Sequence, residues 1–215
     1  NSNMFLGYQT GFYNSTGSYN TFIGHMAGTD NITGLRNVAL GYMAGAGGTT
    51  GSDNVMLGTE SGKMLKAAGN NVFLGSQAGF SNVGGTASQG SFNVFLGNQA
   101  GYLNAIGAYN VFIGYQAGYT NTASYNTFLG YQAGRVSKSG QYNTFLGYKS
   151  GVSNNSGSRN VMLGNESGSM NTTGKRNTFI GNKAGSSTSM FSTGYGNVFI
   201  GDSCGYDIGS GSNNV

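Results

Sequence analysis

Apolar and polar positions alternate along the chain in one short phrase, repeated from end to end. In Asn20-Thr21-Phe22-Ile23-Gly24-His25-Met26-Ala27-Gly28 the order is Asn, a small β-former, Phe, an aliphatic residue, Gly, two variable residues, a small residue and Gly. The phrase also starts at Asn3, Asn37, Asn54, Asn71, Asn93, Asn110, Asn126, Asn143, Asn160, Asn177 and Asn197, and Asn214-Val215 opens a further copy. Successive starts lie 17 residues apart except for steps of 22 (Asn71 to Asn93), 16 (Asn110 to Asn126) and 20 (Asn177 to Asn197). A fixed short period with rare insertions is the mark of a solenoid, in which each repeat forms one coil and extra residues bulge at a corner.

Numbering each coil from its Asn, the pattern predicts strands and excludes helices. Gly fills positions 5 and 9 in all twelve copies. It costs about 1 kcal/mol per residue in a helix interior relative to Ala. The runs between glycines are short and rich in Val, Thr, Phe, Ile and Tyr, as strands are. A strand is expected over positions 1 to 4, as in Asn110-Val111-Phe112-Ile113. A turn at Gly114, a second short strand over Tyr115-Gln116-Ala117, another turn at Gly118 and a polar return segment complete the expected coil. The class read from this is all-β, a β-solenoid (β-roll) of about twelve 17-residue coils, with residues 1–215 forming one array.

Position 1 is Asn in every copy. A column of Asn, including Asn20, Asn37, Asn110, Asn126 and Asn143, is expected to form a structural ladder whose amides hydrogen-bond along the axis and tolerate corner backbone. Position 3 is Phe (Phe22, Phe73, Phe95, Phe112, Phe128, Phe145, Phe179 and Phe199 among them) except at Ala39, Met56 and Met162. Position 2 is Val or Thr, once Met, and position 4 is Leu or Ile. Neighbouring strand residues point to opposite faces, so both faces are apolar, and a strand apolar on both faces is expected to be buried on both. One coil has one interior. The other face must meet something else, and an exposed row of this size exceeds what soluble monomers carry. A homo-oligomer follows, with a parallel homotrimer as the expected form and the Phe row assigned to interface or core.

Position 8 is small, and Cys204, the single cysteine, is expected to be buried there without a metal or catalytic role. Positions 6, 7 and 10 vary and are expected on the surface. Tyr115, Tyr131 and Tyr148, beside Gln116 and Gln132, form a row that either stacks coil on coil or binds glycans by ring stacking and hydrogen bonds. Tyr and Arg recur just before the Asn, as at Tyr109, Tyr125, Tyr142, Arg36, Arg159 and Arg176. The insertions at 81–91 and 186–196, the latter with Met190 and Phe191, and the run Lys63-Met64-Leu65-Lys66 are the expected places for lateral contacts. Asn-x-Ser/Thr triplets at Asn14, Asn31, Asn154, Asn165 and Asn171 are expected by chance in such a composition.

Composition narrows the chemistry. Of 215 residues, 41 are Gly and none is Pro or Trp, while 7% are charged. Disorder is ruled out by the strict period. One histidine and six scattered acidic residues leave no repeated acid/base pair, no metal set and no cofactor motif, so no catalytic, cofactor-binding or metal residue is assigned. Seven of ten basic residues lie between Arg135 and Lys183, too sparse for nucleic-acid binding. No apolar run approaches the roughly 20 residues of a membrane span. The array starts and stops inside its period, so it is expected to be a piece of a longer fibre chain or a subunit that stacks end to end.

The phrase Asn-Thr-Phe-Leu-Gly-Tyr-Gln-Ala-Gly at residues 126–134 resembles repeats of bacterial surface and phage-type tail-fibre proteins. It is also similar to the head repeats of YadA-like trimeric autotransporter adhesins. The resemblance covers essentially the whole chain. It implies three chains around an axis in an extracellular fibre, at a cell surface or on a virion or injection particle. The period here is longer than that of the adhesin heads and Phe makes one face bulkier. The expected role is a non-enzymatic shaft or head module. The alternatives are a glycan- or receptor-binding adhesin using the Tyr, Asn and Gln rows, or a filament built by end-to-end stacking.

Overall fold

The computed structural model describes residues 2–85, 88–188, 192–207 and 209–215. Met190 and Phe191, expected at a lateral contact, lie outside the described residues. The protein is an all-β, parallel β-solenoid, and its contacts divide it into two compact units, residues 1–110 and 111–215.

In the first unit the strands are β1 (Met4–Leu6), β2 (Thr21–Ile23), β3 (Val38–Leu40), β4 (Val55–Leu57), β5 (Val72–Leu74) and β6 (Val94–Leu96). In the second they are β7 (Val111–Ile113), β8 (Thr127–Leu129), β9 (Thr144–Leu146), β10 (Val161–Leu163), β11 (Thr178–Ile180) and β12 (Val198–Ile200). Within each unit every strand pairs in parallel with the next, position for position, as in Phe112↔Phe128 and Val72↔Val94. The latter pair spans the 22-residue step, so the insertion leaves the register intact.

The central residue of each strand points inward. Phe73, Phe95, Phe112, Phe128 and Phe145 are fully buried, and Ala39, Met56 and Met162 fill the same column. Neighbouring rings stack nearly parallel, with centroids 5.0 Å apart for Phe73–Phe95, 4.9 Å for Phe112–Phe128 and 4.7 Å for Phe128–Phe145. Small residues at position 8 line the opposite wall: Ala78, Ala117, Ala133 and Ser150 have no exposed surface. Where Ser replaces Ala, its hydroxyl donates to the next coil, as from Ser150 to the Met162 carbonyl at 2.8 Å. Cys204 departs from the expected burial. It is only half-buried because no further position-8 residue of the described chain stacks on it.

The Gly at position 9 is required by the ring beside it. At Gly118 (φ +59°) a Cβ would stand 2.5 Å from Phe112 Cδ2. Position 5 is held by close backbone approach: a Cβ on Gly24 would meet the Gly41 carbonyl oxygen at 2.6 Å.

The second expected strand, Tyr115-Gln116-Ala117, is a turn. Gln116 has φ 52°, and every position-7 residue is likewise left-handed. Left-handed backbone curls the chain instead of extending it. The segment still pairs between coils, with Gln132 N–H donating to the Tyr115 carbonyl at 2.9 Å and Gly118 N–H to the Ala133 carbonyl at 3.0 Å. The ladder therefore runs around the coil, beyond the three strand residues.

Candidate functional site

Two outward surfaces and one buried feature follow from this coil, set by which residues the backbone points outward and which it turns in.

The first is aliphatic. With Phe inside, positions 2 and 4 face out, and none of the twelve position-4 residues is buried. Leu40, Leu129 and Leu146 are exposed, as are Thr127 and Thr144 beside them. The interior is already filled by the Phe column, so no further element of the described chain covers this row.

The second is a pair of amide ladders at the corners. Within each unit a position-1 Asn accepts from the backbone N–H of the next: Asn37 N–H to Asn20 Oδ1 at 2.9 Å, Asn110 N–H to Asn93 Oδ1 at 3.0 Å and Asn143 N–H to Asn126 Oδ1 at 3.0 Å. Its own Nδ2 donates across the corner, from Asn126 to the Gly140 carbonyl at 2.9 Å and from Asn143 to Gly157 at 2.9 Å. Donor and acceptor are both used and both buried, so these amides have nothing left for a ligand.

A second column, at position 12, escaped the sequence reading. Asn31 donates to Asn14 Oδ1 at 2.7 Å and Asn171 to Asn154 Oδ1 at 3.0 Å. Asn31, Asn154 and Asn171 are buried, so as folded these triplets offer no glycosylation acceptor, while Asn165 is exposed. Leu65 occupies the same column and is 1% exposed. The run Lys63-Met64-Leu65-Lys66 therefore turns its leucine into the core and leaves Met64 exposed. Beside the 22-residue coil, Asn82 and Asn104 are buried with both amide atoms unpartnered among the described residues.

The third is aromatic and charged. Tyr115, Tyr131 and Tyr148 stack on one another with centroids 5.3 Å apart, and Tyr8, His25 and Tyr42 do the same at 5.2 and 5.4 Å. Ring faces within a stack lie against each other, so what they present to solvent is a row of edges and hydroxyls. Gln132 donates to Gln116 at 3.1 Å, and Arg135 Nε donates to the same Gln116 oxygen at 3.0 Å. In the first unit Gln99 donates to Gln77 and Gln77 to Glu60, both at 2.9 Å. Two hydrogen-bond donors, Gln77 foremost and then Lys63 at 2.6 Å, hold the Glu60 carboxyl below the usual range. Position 10, expected on the surface, is buried at Thr29, Ala46, Ser169 and Ser186, where the small side chain folds against the coil.

Position 17 is left-handed in coil after coil, with φ 54° at Arg36, 60° at Arg159 and 58° at Arg176. Its side chains project outward and meet their counterparts one coil away. Arg36 grips Asp53 with two parallel bonds, Nε to Oδ1 at 2.6 Å and Nη2 to Oδ2 at 2.8 Å. Phe92 stacks on Tyr109 at 4.9 Å and Tyr125 on Tyr142 at 5.1 Å.

Among the described residues no group of three or more His, Cys, Asp or Glu could hold a metal ion, and no helix is long and apolar enough to cross a membrane. The fold and these surfaces define a repetitive parallel β-solenoid with a Phe core and Asn corners. Comparison with known proteins gives no significant match to a family model, a curated sequence or a solved structure.

Proposed function

We propose that this chain is a structural module of an extracellular fibre, a shaft or head in which three copies run parallel around an axis. One observation carries the reading: the outward row of Leu and Ile at position 4 is continuous within each unit, while the interior is already filled by Phe. Such a row is costly to leave in water, and each aliphatic side chain fully covered contributes about 1.5–3 kcal/mol. Pairing it with identical copies in register gives every coil the same neighbour. The buried Asn and Phe columns serve stiffness.

The test is the native mass by light scattering on a size-exclusion column. Three times 22.1 kDa is expected. Leu129→Lys with Leu146→Lys is expected to return the protein to 22.1 kDa with its β-signature unchanged. A native protein that is monomeric at all concentrations overturns the reading.

A further inference from the structure

Compared with position 17 of the first unit, position 17 of the second carries a different set of charges. There Arg159 and Arg176 occupy neighbouring coils with the backbone conformation that Arg36 has. Their backbones are fixed by the ladder, Arg159 N–H to the Gln141 carbonyl at 2.9 Å and Arg176 N–H to Ser158 at 3.0 Å. Where Arg36 meets Asp53 across one coil spacing, Arg159 meets another arginine. Lys175 adds a third cation. Among the described residues no ion pair engages any of the three, while Lys183 of the same unit does reach Glu166, at 3.8 Å.

These cations line an open groove of about 480 Å³ together with Thr173, Thr193 and Tyr195, and no acidic residue lines it. The volume is that of a small-ligand site. Arg159 lies over the Tyr142 ring, 5.8 Å from its centroid, which steadies its plane. Tyr195 is 55% exposed, and among the described residues no ring stacks on it.

We propose that this groove binds an acidic saccharide, its carboxylate or sulfate taking between Arg159 and Arg176 the place that Asp53 takes against Arg36. The planar guanidinium matches either anion with two parallel bonds. Tyr195 offers a face for a pyranose ring, and the Thr173 and Thr193 hydroxyls can exchange hydrogen bonds with sugar hydroxyls. Three cations are too few for the counterion release that drives nucleic-acid binding, so a saccharide is favoured over a nucleic acid. The site lies within the second unit and does not depend on the assembly proposed above.

The test uses the full chain and four probes: a heparin-derived sulfated hexasaccharide, a hexagalacturonate, neutral maltohexaose and a thymidylate hexamer. At least one acidic saccharide is expected to bind with salt-sensitive affinity and to shift the backbone amides of residues 158–159, 173–176 and 193–195. Maltohexaose is expected not to bind. The tighter of the two acidic probes tells sulfate from carboxylate. Arg159→Gln and Arg176→Gln are each expected to weaken binding by about tenfold or more, as loss of a charge-assisted pair does. Arg36→Gln, whose partner is internal, is expected to leave binding unchanged. The amide shifts on the unaltered chain keep the test valid should a variant fold poorly. Failure of both acidic saccharides to bind, tighter binding of the thymidylate, or an equal loss in Arg36→Gln overturns the proposal.

Discussion

At the scale of single residues, the corner asparagines have the most to lose. Asn143 accepts from Asn160 N–H at 3.0 Å and donates to the Gly157 carbonyl at 2.9 Å. Asn143→Ala strands both buried groups, each costing about 1–3 kcal/mol, so a loss of roughly 2–6 kcal/mol is expected in urea unfolding. Asn143→Asp keeps the acceptor but turns an oxygen toward the Gly157 carbonyl, and is expected to be no better tolerated. A change under about 0.5 kcal/mol for the alanine variant is the size of an ordinary surface substitution and would count against the ladder. Glu60 gives a pH prediction. Its carboxyl is held low by Gln77 and Lys63. A folded-state pKa below the unfolded one contributes stability above the unfolded value, and that contribution is lost as pH falls through the folded value. A carboxyl-detected titration is expected to place Glu60 below a free glutamate. Gln77→Ala should move it back toward the usual range, and with it the acid limb of stability.

At the scale of the strand, the core tolerates shape better than emptiness. Phe128→Ala is expected to cost about 3–5 kcal/mol through lost burial and the cavity it leaves. Phe128→Met is expected to cost under about 1.5 kcal/mol, because Met162 and Met56 already fill the equivalent place. Thermal unfolding of the two variants side by side checks the order.

The same scale shows what could be read from the sequence and what could not. The period, the stacking of coils and a strand just before position 5 were legible, because glycines at positions 5 and 9, such as Gly114 and Gly118, punctuate every coil; the strand expected over positions 1 to 4 keeps only positions 2 to 4, since the position-1 Asn is a corner. Which strand face is the interior was not legible, since Val111 and Ile113 are as apolar as Phe112 between them. The turn at Gln116 was hidden because its neighbours are β-formers and its left-handed backbone leaves no compositional mark. The inner Asn column is interrupted in the sequence by Gly48, Leu65, Ser137 and Thr188, so that Asn31, Asn154 and Asn171 look like chance triplets. The Arg row before the corner Asn was visible as a pattern. That Arg36 finds Asp53 while Arg159 finds Arg176 needed the coil-to-coil register.

At the scale of the molecule, the exposed Leu and Ile row is the feature from which an assembly would grow. Within the second unit it passes through Ile113, Leu129, Leu146, Leu163 and Ile180, all with some surface exposed. The mass measurement and the Leu129/Leu146 pair decide whether copies cover it. The corner ladder carries a different consequence. Within a unit each coil offers its neighbour the same amide contact, whatever the length of chain between corners: the 20-residue step ends with Asn197 N–H on Asn177 Oδ1 at 3.0 Å, and the 17-residue step with Asn160 N–H on Asn143 Oδ1 at 3.0 Å. As far as this corner is concerned, one coil can take the place of another. Excising residues 144–160 would join Asn143 to Val161 and present Asn143 to Asn177 as Asn160 does now. Unequal recombination between repeats of the gene would add or remove whole coils and leave the corner bond on either side intact, so the length of the array is open to change in steps of one coil.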